Sequence, residues 1–586
     1  MAGTRLQIVG AFVLFTLLAA PVAWHLTQVE RADLPMARIQ QLSWAASRFG
    51  GPDKLHVNVY GLRPASSSAL HSSAPNVAYS THDLALNAEQ KEALQTAVKA
   101  GAQATDDALE TLVTTPCSRF SVFMLCGDEA AASVPVLTVG KHRHAWSSQC
   151  QVGEGDALHA AVEELVQRHV YPQVDETSVK QTTETKTARR ALHYQLQFSL
   201  LKENPATAWT EDLRTLVDQY LGRFVQKVGA LANFSVETQV VQYARLAKEV
   251  APSADGAEFY INADDLKHVS GSCMCLAADG QASDSCECWF FLVLLQFKSA
   301  NDLLDASVLD DGEQVLHFMA ALPDAKHAPL YIRPAGDSGP SKTGLATSFE
   351  LPGWGIAAIL NPYALNGKPS ANASEEEVAA LAAVTKAREL QRVMGLFVSE
   401  FRTLLGVPSF THRQREEDVT GGDASRRRLL FLPSPADGIA DWELDVVMRD
   451  RFTKLMQTAI ETLQSTVELV EALPELSVLE RVQARVETAV TRLEAILCGS
   501  DRRQQQDCVE ASDLRSLLAM ARQASELTDA AYYDHTMIRQ LYFPQEQMLG
   551  VYAPLLAPLI LPFILGIVRE LKRFKAKRAA KKVKLL

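Results

Sequence analysis

Leu192-His-Tyr194-Gln-Leu196-Gln-Phe198 alternates apolar and polar side chains with a period of two. Successive side chains of a strand point to opposite faces, so the pattern predicts a strand with apolar residues on one face and polar residues on the other. Next comes Thr210 to Leu231, where Leu213, Leu216, Val217, Tyr220, Leu221 and Phe224 share one face of a helix. Upstream, Leu55-His-Val57-Asn-Val59 and Phe120-Ser-Val122-Phe-Met124 predict two more strands. Downstream, Val315-Leu-His-Phe-Met319 and Ile356-Ala-Ala-Ile-Leu360 are continuous apolar runs, the form strands take near a sheet centre. Strands alternating with helices define an α/β body, a mixed sheet with flanking helices, over about residues 45–370.

The character changes near residue 375. Glu375–Leu405, Asp441–Leu473, Leu479–Leu497 and Ala511–Ala531 carry helical periodicity, and Pro474 separates the second from the third. This predicts a helix-rich C-terminal part over about 375–535. Ser409–Asp437, with Gly421-Gly422 and Arg426–Arg428, reads as an exposed loop.

Both ends read as membrane segments. Met548–Val568 holds 21 residues without a charged side chain, and a helix needs about 20 apolar residues to cross the hydrocarbon core. Pro554, Pro558 and Pro562 recur at a spacing of four, which suits a helix packed on membrane partners that re-satisfy the freed carbonyls. Tyr542, Phe543 and Tyr552 fit an interfacial aromatic belt. Arg569–Leu586 then carries nine basic residues and one acidic one, which places that side in the cytosol. Residues 6–26 form the other candidate span, apolar from Leu6 to Trp24. The competing reading is a cleavable signal peptide. The apolar run exceeds the usual 7–15 residues of such a peptide, and its best cleavage position, after Ala20, precedes Pro21. The expected organisation is a short cytosolic N-terminus at 1–5, spans at 6–26 and 548–568, a luminal body at 27–547 and a basic cytosolic tail at 569–586. A hydrophobic tail that signals glycosylphosphatidylinositol (GPI) attachment fits poorly, because a cationic extension follows it.

Net charge is −12, and the basic tail leaves about −20 on the remainder. So acidic a body excludes nucleic acid as a partner, since phosphate binding needs clustered Lys and Arg. The nine cysteines suit an oxidising lumen. Cys498 and Cys508 bracket a polar turn between helices and form a candidate disulfide. Cys273-x-Cys275 and Cys286-x-Cys288 read as loop disulfides; zinc is the alternative, though its sites favour wider C-x₂₋₄-C spacing. Asn233-Phe-Ser235 and Asn372-Ala-Ser374 are N-glycosylation acceptors. Lys582 and Lys584 match a lysine-x-lysine-x-x retrieval tag for the endoplasmic reticulum.

Catalytic signatures are sparse. The sequence has no phosphate-cradling glycine loop, no H-E-x-x-H and no G-x-S-x-G. Gly336-Asp-Ser338-Gly339 lies among prolines and reads as a turn. His142, His144 and Cys150 offer the residue types of a cysteine–histidine pair, but no oxyanion site accompanies them. The reading is a non-catalytic protein with no cofactor site and no metal-ligating set; a free-standing luminal hydrolase and an unrelated luminal adaptor are the alternatives.

Several stretches recur in the order of one family. They are Arg31-Ala-Asp-Leu-Pro35, Phe198-Ser-Leu-Leu201, Asn233-Phe-Ser-Val236 before Gln239-Val-Val-Gln-Tyr-Ala244, Pro329-Leu-Tyr-Ile332, Trp354-Gly355, Trp442-Glu-Leu-Asp445 and Leu541-Tyr-Phe-Pro544. In these the chain resembles the S subunit of the GPI transamidase, the PIG-S family, over nearly its whole length. The stretches at 273–288 and 409–437 look like departures. The resemblance implies an α/β luminal body between two transmembrane helices, one near each terminus. It also implies a place in an endoplasmic-reticulum membrane complex that joins GPI lipid to the C-terminus of precursor proteins. The catalytic cysteine and histidine would then belong to another, caspase-like subunit. Partners would be the other transamidase subunits and the membrane, with GPI lipid and precursor reached indirectly.

Overall fold

The computed structural model describes residues 32–47, 55–61, 77–83, 86–113, 115–116, 118–125, 137–147, 155–171, 188, 191–205, 212–244, 250–253, 258–262, 313–333, 346–351, 354–362, 375–407, 429–433, 437–473, 476, 478–497 and 514–537, and scattered residues of 11–18 and 554–578. In chain order the elements are α1 (Met36–Ser47), β1 (Leu55–Gly61), β2 (Val77–Asp83), α2 (Ala88–Ala100), α3 (Ala102–Leu112), β3 (Arg119–Met124), β4 (Leu137–Val139), β5 (His144–Ser147) and α4 (Gly155–Leu165). Then come β6 (His193–Lys202), α5 (Leu213–Val228), β7 (Asn233–Gln242), β8 (Ala251–Pro252), β9 (Phe259–Asn262), β10 (Glu313–Leu322), β11 (Leu330–Arg333), β12 (Ser348–Leu351) and β13 (Gly355–Ile359). Last are α6 (Glu375–Leu404), β14 (Leu429–Phe431), α7 (Asp441–Ala472), α8 (Glu480–Leu497) and α9 (Leu514–Tyr532).

The chain divides into two compact units, one of 50–453 with 511–519 and one of 1–49, 454–510 and 520–586. Among the described residues the first holds three sheets, ordered β14-β4-β5-β3-β1-β2, β12-β13-β10-β6-β7 and β11-β9-β8. The architecture is mixed α/β with a helix-rich C-terminal part, as the residue patterns indicate.

In the five-stranded sheet β13, β10, β6 and β7 run parallel, with Phe198 opposite Phe318. Asp212 caps α5 by accepting from the Thr215 amide at 3.2 Å. Leu213, Leu216, Val217, Leu221, Phe224 and Val228 of that helix are buried. Phe397 and Phe401 of α6 complete an aromatic cluster: Phe198–Phe318 centroids lie 4.8 Å apart, Phe318–Phe397 5.6 Å and Phe224–Phe401 5.1 Å. Burying each such ring is worth roughly 1.5–3 kcal/mol.

The structure sharpens one expectation and corrects another. The polar side of the 192–198 strand is itself buried: Gln195, Gln197 and Ser199 are 5%, 3% and 3% exposed. β6 lies inside the sheet between β10 and β7, and Ser199 is bonded by Gln239 Nε2 at 2.9 Å. Alternation here marks two buried faces of different polarity. Farther along the same face, Leu201, Met319 and Ile359 pack with Ile261, Leu330 and Ile332 of the small sheet. The correction concerns 409–437, where Leu429–Phe431 is not loop but an edge strand parallel to β4. The apolar run Leu429-Leu-Phe431 carries it, and the Phe431 ring meets His169 edge-on at 5.0 Å.

In the other unit, α1 packs on α8. Ala32 N–H donates to Val478 O at 2.9 Å and Gln483 Nε2 to Asp33 O at 2.8 Å, while Leu34, Ile39 and Leu42 are buried. Arg38 reaches Glu494 at 2.6 Å. Arg481 and Arg485 converge on Asp534, which is 5% exposed, at 2.8 and 3.1 Å. The Arg481 hydrogen bond holds that carboxyl well below the usual range.

The two predicted spans lie mostly outside the described residues. Among those described, no helix is long and apolar enough to cross a membrane.

His317 on β10 stacks on Trp354 with centroids 4.5 Å apart, and its Nδ1 has no hydrogen-bond partner among the described residues. Gly355 holds φ +141°, and a Cβ there would lie 1.9 Å from the His317 carbonyl oxygen, so glycine is required. Burial pushes the His317 imidazole down to about 4. The unfolded chain therefore takes up this proton first as pH falls, and stability is lost from about pH 6.5 downward to about 4. His317→Phe keeps the stack and removes the titration. We expect the parent to lose up to about 1.4 kcal/mol per pH unit relative to this variant across that window. Denaturant unfolding at pH 7, 6 and 5 checks this; parallel profiles would refute it.

Candidate functional site

The described residues gather His142 and His144 but leave other expected site residues unplaced. Asn372, Cys498, Cys508, Lys582, Lys584, Cys150, the Cys273, Cys275, Cys286 and Cys288 set and Gly336–Gly339 all lie outside the described residues. Asn233 is exposed at the first position of β7, an edge strand.

β4 and β5 pair antiparallel, and Gly140-Lys-His-Arg143 makes the turn between them, closed by Gly140 N–H donating to His144 O at 3.0 Å. Gly140 is needed there because a Cβ would lie 1.9 Å from Asp106 Oδ1. Asp106 and Glu110 lie one helical turn apart on α3, so they share a face. The Lys141 amide donates to both Asp106 carboxylate oxygens, at 3.2 and 3.1 Å. His144, fully buried, places Nε2 2.9 Å from Asp106 Oδ1 and Nδ1 3.7 Å from Glu110 Oε2. The two imidazoles lie 5.8 Å apart.

The first turn of α7 closes the cluster from the other side. Asp441 Oδ2 meets His142 Nδ1 at 2.9 Å, and Asp441 Oδ1 meets Lys227 Nζ of α5 at 2.8 Å. Asp441's hydrogen bond raises the His142 pKa. Burial alone would raise Asp441, but the bonds from His142 and Lys227 outweigh it and hold the carboxyl well below its usual range. Trp442 Nε1 donates to Gly140 O at 3.0 Å. Glu443 accepts from Arg402 of α6 at 2.8 Å and reaches back to the Ala440 amide at 2.8 Å, the reciprocal half of a capping box. Asp445 takes a two-pronged contact from Arg143, through Nε and through Nη2 at 3.0 Å.

Chemically, His142 oriented by a carboxylate is half of a general-base pair. The hydrolase reading also needs a nucleophile, and among the described residues no Ser, Thr or Cys hydrogen-bonds either ring. The same groups can hold a cation: ligand atoms of Asp106, Asp107 and His142 lie within 4.8 Å of one another. Sequence reading singled out the histidines but missed Asp106, Asp107 and Asp441. The i, i+1 carboxylates of α3 carry no motif of their own, and Asp441 is 299 residues from its histidine.

Several residues of the family-like stretches occupy packing positions, whereas Asn233, Val240 and Tyr243, on or just after the edge strand β7, are exposed. Phe198 lies in the aromatic cluster, Gly355 fits against β10, Leu330 and Ile332 seal the small sheet, and Leu34 is buried in the other unit. Trp442-Glu-Leu-Asp445 supplies the contacts just described. The molecule is thus an α/β protein, and Phe198, Gly355 and Trp442 are among the residues that hold it together. Its sequence matches the family described as "Phosphatidylinositol-glycan biosynthesis class S protein" over residues 10–273 and 292–577, and the chain belongs to that family. The match is interrupted where the cysteine-rich stretch Cys273–Cys288 lies, whereas 409–437 falls inside it. The chain is 24% identical over 372 residues to a Bos taurus "GPI-anchor transamidase component PIGS", an alignment covering 63% of this chain and 55% of that protein. Identity to the Homo sapiens protein of the same name is 24% over 370 residues, with the same two shares. To a "GPI transamidase component PIG-S homolog" of Schizosaccharomyces pombe it is 28% over 151 residues, 25% of this chain and 26% of that one. The chain spans about half the length of the mammalian relatives it matches.

Arg143 and Asp445 side chains are 16% and 4% exposed, so removing the carboxylate strands a buried guanidinium charge. Asp445→Ala is expected to cost about 3–5 kcal/mol in denaturant unfolding. A cost below about 1 kcal/mol would show that the pair does not hold the turn.

Proposed function

We propose that this chain is a non-catalytic membrane subunit of a GPI transamidase complex, supporting the joining of GPI lipid to precursor C-termini at the endoplasmic reticulum. The family match over 10–273 and 292–577 carries the reading. The names of the relatives point to a component of that enzyme. Phe198, Leu330, Ile332, Gly355 and Trp442–Asp445 of the family-like stretches lie at packing and ion-pair positions, which suits a scaffold whose catalytic cysteine and histidine are on a caspase-like partner. Two spans, at 6–26 and 548–568, would leave the body in the lumen. Helical Leu14, Leu18, Leu561 and Leu565, 57–65% exposed, support lipid-facing ends. The nine basic residues after Val568 support a cytosolic tail, where Lys582 and Lys584 would serve as a retrieval signal. Exposure of Asn233 supports its glycosylation, with Asn372 the second acceptor, and Cys498 with Cys508 would close the connection between α8 and α9.

One preparation tests this. The tagged full chain, purified in mild detergent from its own cells, should bring a caspase-like subunit with it and should gain gel mobility on endoglycosidase treatment. Absence of any caspase-like partner would overturn the assignment; an unchanged mobility would overturn the luminal topology.

A further inference from the structure

We propose that Asp106, Asp107 and His142 bind a divalent cation of the zinc class, at a site between α3 and the β4–β5 turn. Their ligand atoms lie within 4.8 Å of one another. Tetrahedral zinc with N and O ligands at 2.0–2.2 Å brings ligand atoms to about 3.4 Å, so a small closure suffices. Asp107 is exposed and free to make it, while Asp106 is fixed by the Lys141 amide. Two carboxylates and one imidazole, with water in the fourth place, match the borderline preference of zinc.

Three further observations converge. First, His142 commits Nδ1 to Asp441, which leaves Nε2 as the nitrogen able to bind a metal. A carboxylate behind a ligating histidine is the usual outer-shell partner of a metal site. Second, Asp106, Asp107 and Glu110 have no Lys or Arg ion pair among the described residues, whereas Asp441 and Asp445 are matched by Lys227 and Arg143. A dication supplies the missing positive charge. Third, the wholly buried His144 ring faces the Asp106 carboxylate, yet neither of its nitrogens makes a hydrogen bond among the described residues. That leaves a buried polar group beside Asp106 unsatisfied, a state that an ion bound at the carboxylate would account for. This inference is independent of the transamidase assignment.

The test uses the full chain in mild detergent, stripped with a chelator and titrated with zinc chloride by calorimetry. Uptake should occur at one site that Asp107→Ala and His142→Ala each weaken by at least about 10-fold. A variant with Cys273, Cys275, Cys286 and Cys288 changed to serine should keep that site. Asp107→Ala is the cleaner variant because the side chain is exposed, and circular dichroism checks its fold. Three results would each overturn the proposal: no zinc uptake by the parent, unchanged affinity in Asp107→Ala, or loss of uptake only in the cysteine variant. Uptake of magnesium or calcium in preference to zinc would also overturn it, because an imidazole ligand disfavours those ions.

Discussion

At the start of α7, Asp441, Trp442, Glu443 and Asp445 grip the β4–β5 turn on one side and the helices α5 and α6 on the other. Asp441 joins His142 to Lys227, Trp442 holds the Gly140 carbonyl, Glu443 binds Arg402, and Asp445 binds Arg143. The β4–β5 turn belongs to the six-stranded sheet, while α5 and α6 cover the five-stranded one. One turn of helix therefore ties together two sheets that share no strand. Farther along, Arg449 bonds Val170 O behind the first sheet and Arg451 bonds Ala191 O, beside the start of β6. Pairs this buried offset desolvation only through good geometry, and each lost partner leaves a stranded charge. The arrangement fixes where the pieces meet more than it adds to net stability.

That joint also explains what the sequence made legible. Strand periodicity identified β1, β3, β6, β10 and β13 because their apolar residues repeat at the strand period or run unbroken. It separated the polar from the apolar side of β6 but could not tell that Gln195, Gln197 and Ser199 are buried, by tertiary context that no local pattern reports. β14 escaped notice because three apolar residues follow a polar, arginine-rich stretch. The His142–Asp441 and Arg143–Asp445 pairs were beyond reach altogether: their partners are 299 and 302 residues apart. The family resemblance succeeded where pattern alone failed. Its short fragments include residues that packing constrains tightly, among them Gly355 against a carbonyl and Trp442 on Gly140.

The same geometry separates two kinds of chemistry at the histidines. A carboxylate-oriented imidazole serves a hydrolase only beside a nucleophile, whereas beside Asp106 and Asp107 it serves a metal. The sequence holds Cys150 as a candidate for the first, and the described residues assemble the second. A cation there would sit on α3 and on the turn that α7 grips, adding one more tie at the joint. For a proposed scaffold subunit, that is a structural role and not a catalytic one.

The most direct measurement is hydrogen exchange on the full chain with Glu443→Gln. If the first turn of α7 is the joint, exchange should rise together at the β4–β5 turn and in the helices α5 and α6, well beyond the substituted turn. Faster exchange confined to residues 438–446, with both sheets and their helices protected as before, would contradict the account.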